Sequence, residues 1–130
     1  MTTAVSTNLQ SEWIKYAFTT ESMSARPTSW KIGLHTGDPT QNGSANEVTT
    51  GLDAAYVRQT ATWTRTLGQV ANAALINFPV TAATYTVTYI TVWDNTGTVC
   101  LYVGALSLAK LLAVGDTFSF PVGQLTLSVQ

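Results

Sequence analysis

The sequence predicts a mainly β protein, an antiparallel β-sandwich of jelly-roll-like type with one N-terminal helix. Short runs of strict apolar–polar alternation recur, as where Leu125, Leu127 and Val129 alternate with Thr126, Ser128 and Gln130. Turn clusters such as DNTGT (94–98), VGDT and PVGQ separate these runs at regular intervals, the spacing of sandwich strands. The charged fraction is 10%, against roughly 25% for ordinary soluble domains, so hydroxyls and amides must form much of the surface. Such a surface resists association weakly, and other subunits are expected to cover part of it.

The 130 residues suffice for one core without metal or disulfide staples. Residues 1–25 read as an N-terminal arm and helix, and residues 26–130 as a single β-sandwich domain. Thr7 and Gln10 fit a capping box, Thr7 as N-cap and Gln10 reaching back. Leu9, Trp13 and Ala17, flanked by Tyr16, then make a helical stripe to about Thr20. That stripe must cover a sheet or lie against a neighbouring chain. Pro27 follows a turn-rich stretch that ends the helix. TSWKIGLHT reads as a half-buried strand, with Trp30, Ile32 and Leu34 on one face and Ser29, Lys31 and Gly33 on the other. After a loop to about Gly51, AAYVRQTATWTRT reads as one strand and ANAALINFPV as a weaker one stopping at Pro79. In TYTVTYITVWD, period two places Tyr85, Val87, Tyr89 and Trp93 on one face. VCLYVGALS returns from the DNTGT turn, and LAKLLAV, FSFP and LTLSV follow as short segments.

A net charge of -1 with six scattered Lys and Arg argues against a nucleic-acid partner. No window holds 18 uninterrupted apolar residues, so no membrane span is expected. The opening residues lack the basic start and apolar stretch of a secretory leader, and folding in the cytosol is expected. Cys100, the one cysteine, lies in an apolar run and reads as a small core residue.

Candidates for site chemistry centre on HTGDPTQNGSANEV (35–48), which holds the one histidine. Asp38, Thr40, Asn42 and Gly43 occupy positions 1, 3, 5 and 6 of a calcium loop, but position 12 is Thr49 and no helices flank it. A connecting loop is the stronger expectation, because Asp-Pro, Asn-Gly and Gly-Ser are turn chemistry. His35 and Asp38 resemble half a hydrolytic triad without a nucleophile elbow. Zinc would need more His or Cys than the chain has. Asp38, Glu47, Asp53, Asp94 and Asp116 could supply paired carboxylates, yet all sit in expected turns. Exposed aromatics such as Trp63 or Trp93 could make a sugar platform, so a carbohydrate-binding module stays an alternative to a structural protein or an enzyme.

The ordered pieces WKIGLHTGDPTQNGSANEV, AYVRQTATW, ANAALINFPV, YITVWDNTGTVCLYVGAL and VGDTFSFPVGQLTLSV resemble a family of small tailed-bacteriophage virion proteins. These are commonly labelled tail-fibre or fibre-like proteins, and the likeness runs from about Trp13 to the C-terminus. The resemblance implies a virion structural protein without catalysis or cofactor. Its expected role is an oligomeric capsid cement or decoration protein stabilising the head shell, with a tail fibre or baseplate component as the alternative. The expected partners are copies of itself as a homotrimer, and the major capsid protein or other virion proteins. The expected place is the virion, head surface before tail, after synthesis in the bacterial host cytoplasm. Contact candidates are Leu9, Trp13 and Tyr16 on the helix, and His35, Asp38, Asn42 and Glu47 in the loop.

Overall fold

A computed structural model describes residues 4–128. In chain order the elements are β1 (Ala4–Val5), α1 (Thr7–Phe18), β2 (Trp30–His35), β3 (Gln59–Ala61), β4 (Trp63–Thr66), β5 (Gln69–Asn72), β6 (Ile76–Asn77), β7 (Tyr85–Trp93), β8 (Cys100–Leu112), β9 (Ser119–Phe120) and β10 (Thr126–Ser128). Every pairing is antiparallel. A five-stranded sheet runs β1-β8-β7-β2-β3, a three-stranded sheet β10-β5-β4, and β6 pairs with β9. The mainly β class with one helix is as the alternation predicts. One apolar core joins the sheets, with Ile32, Leu34, Val87, Ile90, Val92 and Tyr102 from the large sheet meeting Ile76, Phe78, Phe118 and Leu125. Phe118 stands edge-on to both Phe78 and Phe120, with centroids 6.0 and 4.9 Å away.

The helix begins one residue earlier than the capping box predicts. Ser6, in extended backbone, is the N-cap and accepts from the Leu9 N–H at 3.2 Å. Its own N–H is already bonded to the Leu101 carbonyl, at the end of the β1–β8 pairing. The Thr7 N–H, to which Gln10 would reach back, is bonded to the Gln41 carbonyl, and the Gln10 amide donates to the Val5 carbonyl instead. Thr7 is the first helical residue, its N–H bonded to Gln41.

Several strand expectations need correction. β2 is buried on both faces from Ile32 onward, not half-buried, because the following loop folds back over Gly33 and His35. AAYVRQTATWTRT splits at Thr62: β3 pairs with β2 in the large sheet, and β4 pairs with β5 in the smaller one. ANAALINFPV divides likewise into the end of β5 and β6. Buried Asn72 fastens that corner, donating to the carbonyls of Ala74, Phe120 and Pro121 and accepting from the Leu125 N–H.

A further correction concerns β7. Val87 pairs with Lys110, but Tyr89 pairs with Ala105, so β8 loops out between those points. This bulge switches the faces of β7. Tyr85 and Val87 point into the main core, then Ile90 and Val92 do, while Trp93 joins Cys100 and Val103 in a separate cluster. Thr88 sits at the irregularity with its buried hydroxyl unpartnered. LAKLL is no separate strand but the continuation of β8, which spans 13 residues.

The β4–β5 hairpin turns through Leu67 and Gly68, and Leu67 takes φ 53° while 87% exposed. A leucine there carries left-handed strain without any burial to offset it. Leu67→Asn is expected to stabilise the fold by about 0.5–1 kcal/mol, a rise in Tm of about 2–4 °C. A lower Tm for this variant would show that the leucine does something the free chain needs.

Candidate functional site

The large sheet has a second, polar cluster on the face away from the core. Side chains two apart on a strand share a face. Gly33 and His35 on β2 therefore stand beside Thr91 and Trp93 on β7, with Gly33 registered opposite Thr91. Tyr56 and Arg58 approach from the segment leading into β3, and Glu47 from the end of the long loop. An isolated bridge between His35 and Glu47 closes that loop.

Glu47 is the hub. Arg58 grips it with two parallel bonds, Nε to Oε2 and Nη2 to Oε1, both 2.7 Å. Tyr56 donates its hydroxyl to the same Oε2 at 2.7 Å and accepts from the Leu34 N–H at 3.0 Å. The remaining guanidinium nitrogen of Arg58 donates to the Gly97 carbonyl at 2.7 Å, tying in the β7–β8 turn. The guanidinium carbon also lies 3.9 Å from the Trp93 ring centroid, a cation–π contact. Burial alone would raise the Glu47 pKa, but the bonds from Arg58 and Tyr56 outweigh it and hold the carboxyl below its usual value.

Beneath this pair runs a directed chain of hydrogen bonds. Trp93 Nε1–H donates to Thr91 Oγ1 at 2.7 Å, and Thr91 Oγ1 lies 2.9 Å from His35 Nε2. His35 Nδ1 faces the Ala45 carbonyl at 2.8 Å. A carbonyl only accepts, so Nδ1 carries the proton, Nε2 is free to accept, and the threonine hydroxyl donates to it. The imidazole is thereby held neutral, and burial pushes its pKa down. Two glycines make room for this layer. A Cβ on Gly33 would lie 2.7 Å from Thr91 Oγ1, and one on Gly43, at φ 73°, would lie 2.7 Å from Cys100 Sγ.

The expected contact residues separate into different environments. His35 is fully buried and presents no surface, a correction to its place among the contact candidates; its strand-end position is covered by the loop. Glu47 is half-buried and spent on Arg58 and Tyr56. Asp38 and Asn42 are exposed but make the loop's own turns: Asp38 accepts from the Thr40 N–H, and Asn42 accepts from the hydroxyls of Thr40 and Ser44. Leu9 leans on the core. Trp13 and Tyr16 are 42% and 79% exposed, and Phe18 beside them is 80% exposed, so past Leu9 the helix stripe is only partly covered by its own chain.

The other acids are occupied locally. Asp53 is buried and accepts from the Tyr85 hydroxyl at 2.7 Å and from the N–H groups of Ala55 and Ala82. Asp94 accepts from Thr96 and Gly97 within its turn, and Asp116 from the Ala113 N–H. Trp93 lies under Arg58 and Trp63 packs on the core, so neither offers an open aromatic face. Cys100 is fully buried, and burial raises its thiol pKa to about 11.

Tyr56, Arg58, Thr91 and Gly33 were not legible as site residues, and Trp93 and Gly43 were read only for other sites, a sugar platform and a calcium loop. The available signal was the i, i+2 spacing of Tyr56 with Arg58 and of Thr91 with Trp93, beside one acid in a charge-poor stretch. His35, Glu47, Tyr56, Arg58 and Trp93 belong to the LHTGDP, EV, YVRQ and VWD motifs, which meet in this one cluster. A family model described as podophage GP4 fiber I protein gp80 matches residues 4–128. No curated protein matches the chain.

Two outcomes follow for the cluster. Arg58→Ala leaves the Glu47 carboxylate half-buried without its partner, and a loss of about 3 kcal/mol in urea unfolding is expected. A loss under 0.5 kcal/mol would reduce the pair to an ordinary surface contact. His35 has its folded pKa below the ordinary value of 6.5, so the unfolded chain binds the proton more readily. Its stabilisation is complete above pH 6.5 and is lost as pH falls towards the depressed folded value. The Tm should thus decline as pH drops from about 6.5 towards 5, before Glu47 contributes its own loss below its ordinary value of 4.5. His35→Gln can keep both hydrogen bonds and should flatten the decline between pH 6.5 and 5. An unchanged slope in that variant would assign the titration elsewhere.

Proposed function

The chain belongs to this podophage fibre family, and on that premise we propose that it serves as a fibre-type structural module of the virion, without catalytic activity. It works as a homotrimer that joins other virion proteins. The observation that supports this reading is the uncovered apolar face of α1, on a body whose polar cluster is spent on holding its own loop in place. The histidine and acids with a potential for chemistry are hydrogen-bonded as structural groups. What remains outward-facing is apolar helix and charge-poor loop, the makings of lattice contact.

A second reading is a cement or decoration protein on the head shell. It draws on the body's compactness, since one core gathers residues from Val5 to Leu125 and no repetitive shaft interrupts it.

Immunogold labelling of assembled particles, paired with light scattering of the purified chain, distinguishes these readings. The fibre reading expects a trimer in solution and label confined to the tail. Label over the whole head would replace it with the cement reading. A monomer absent from particles would overturn both.

A further inference from the structure

We propose that loop 36–46 is an acid-released lid: protonation of His35 lifts it off the cluster of Trp93, Cys100 and Val103 while the sheets stay folded. This goes beyond the structural role above and does not rest on it.

His35 is fully buried between the Ala45 carbonyl of the loop and Thr91 of β7. With the imidazole neutral every polar atom is matched, because Nε2 accepts from the threonine hydroxyl while that oxygen accepts from Trp93. A proton on Nε2 reverses the first of these bonds. Thr91 Oγ1 then faces two donors, and its own proton loses its acceptor at a position with no exposure to water.

The groups around the imidazole offer the new charge little. Glu47 supplies the one opposing charge close by, but Arg58 and Tyr56 already donate three bonds to its two oxygens. Arg58 adds a second positive charge. On β2, Lys31 lies on the same face, its Nζ at the Gly97 turn. Tyr89 is registered opposite His35 on β7, and Cys100 begins β8. Asp38, the acid within the loop, is exposed and bonded to the Thr40 N–H. Water would solvate the imidazolium, and the loop keeps it out.

The loop is bonded mostly to itself. The Ala45 N–H meets the Pro39 carbonyl, the Gly43 N–H the Thr40 carbonyl, and the Asn46 amide the Asp38 carbonyl, while Asn42 accepts from Thr40 and Ser44. From Gly37 to Ser44, its hydrogen bonds to other parts of the described chain are those between Gln41 and Thr7. Within the loop Pro39 and Gly43 are the buried residues, so lifting it exposes little of its own apolar surface. Segments held by so few buried contacts open at free energies well below that of global unfolding.

Gly43 makes the opening measurable. It rests on Cys100, where a Cβ would come within 2.7 Å of Sγ, so a lifted loop uncovers the one thiol of the chain.

The test treats the full chain with 4,4′-dithiodipyridine, a disulfide that reacts with thiols in acid. The Cys100 sulfur attacks its S–S bond, forms a mixed disulfide and releases thiopyridone, which takes up the thiol proton. Rates are divided by those of glutathione at the same pH, and far-UV circular dichroism follows the sheets. With an ordinary pKa of 6.5 in the open form, the open fraction grows by at most about 30-fold on acidification to about pH 5. Cys100 reactivity should therefore rise several-fold within that limit, with unchanged dichroism. His35→Gln, which keeps both hydrogen bonds at every pH, should stay protected. The single histidine also gives one imidazole C–H resonance, and in the wild type it should titrate over the same pH range as the reactivity, a comparison that needs no variant. Flat reactivity, an equal rise in a folded His35→Gln, a rise seen only as dichroism is lost, or a resonance titrating in another range would each overturn the proposal.

Discussion

The two-pronged bond between Arg58 and Glu47 fastens three separate parts of the chain to one another. Glu47 ends the long loop, Arg58 leads into β3, and Gly97, which takes the third guanidinium bond, belongs to the β7–β8 turn. A planar guanidinium bonded at both prongs and stacked on Trp93 has little freedom, so it sets the distance between loop and sheet. A lysine in its place would supply the charge but neither the fork nor the flat face. In a chain so poor in charge, a half-buried ion pair does more to define geometry than to add net stability. Separating the charges is costly, whereas keeping them together roughly offsets their desolvation.

That fastening explains why the large sheet is covered on both faces near β2. The core lies on one side. On the other, the loop lies over Gly33, His35, Thr91 and Trp93, and each polar atom under it meets a partner of the right kind. The hydrogen-bond chain from Trp93 through Thr91 to His35 has only one workable direction once the Ala45 carbonyl occupies Nδ1. Such fully satisfied networks rigidify the structure that contains them. The loop that looked most like a site is therefore a rigid structural lid, with its exposed Asp38 and Asn42 engaged in shaping turns.

The β7–β8 bulge has the opposite effect. By looping β8 outward between Ala105 and Lys110 it re-aims the second half of β7 and leaves a cleft of mixed apolar and polar lining at the sheet edge. Edge strands with open backbone groups invite pairing with another chain. The polar cluster is satisfied within the chain, whereas Tyr16 and Phe18 on α1 stay largely exposed.

Local chemistry along the sequence determined the class of fold, the single helix, the turns at DNTGT, VGDT and PVGQ, and the burial of Cys100. Each depends on neighbours within a few residues: alternation of period two, a hydroxyl before a helix, Asp and Gly at a turn. The sequence also marked Trp13 and Tyr16 as a stripe seeking cover, because helical periodicity does not depend on what the stripe meets. Tertiary structure decided the rest. Period two assigned Trp93 to the face of Tyr85, and only the pairing of β7 with β8 reveals the bulge that breaks that parity. Thr7 looked like the N-cap, but the Ser6 side chain caps the helix and the Thr7 N–H is bonded to the distant Gln41 carbonyl. His35 read as a surface residue because nothing in its own segment shows that residues 36–46 return over it. Arg58 and Glu47 are eleven apart, with no local rule to join them. Their meeting depends on the path of the loop and on the absence of side chains at Gly33 and Gly43, a constraint in space that no local pattern encodes.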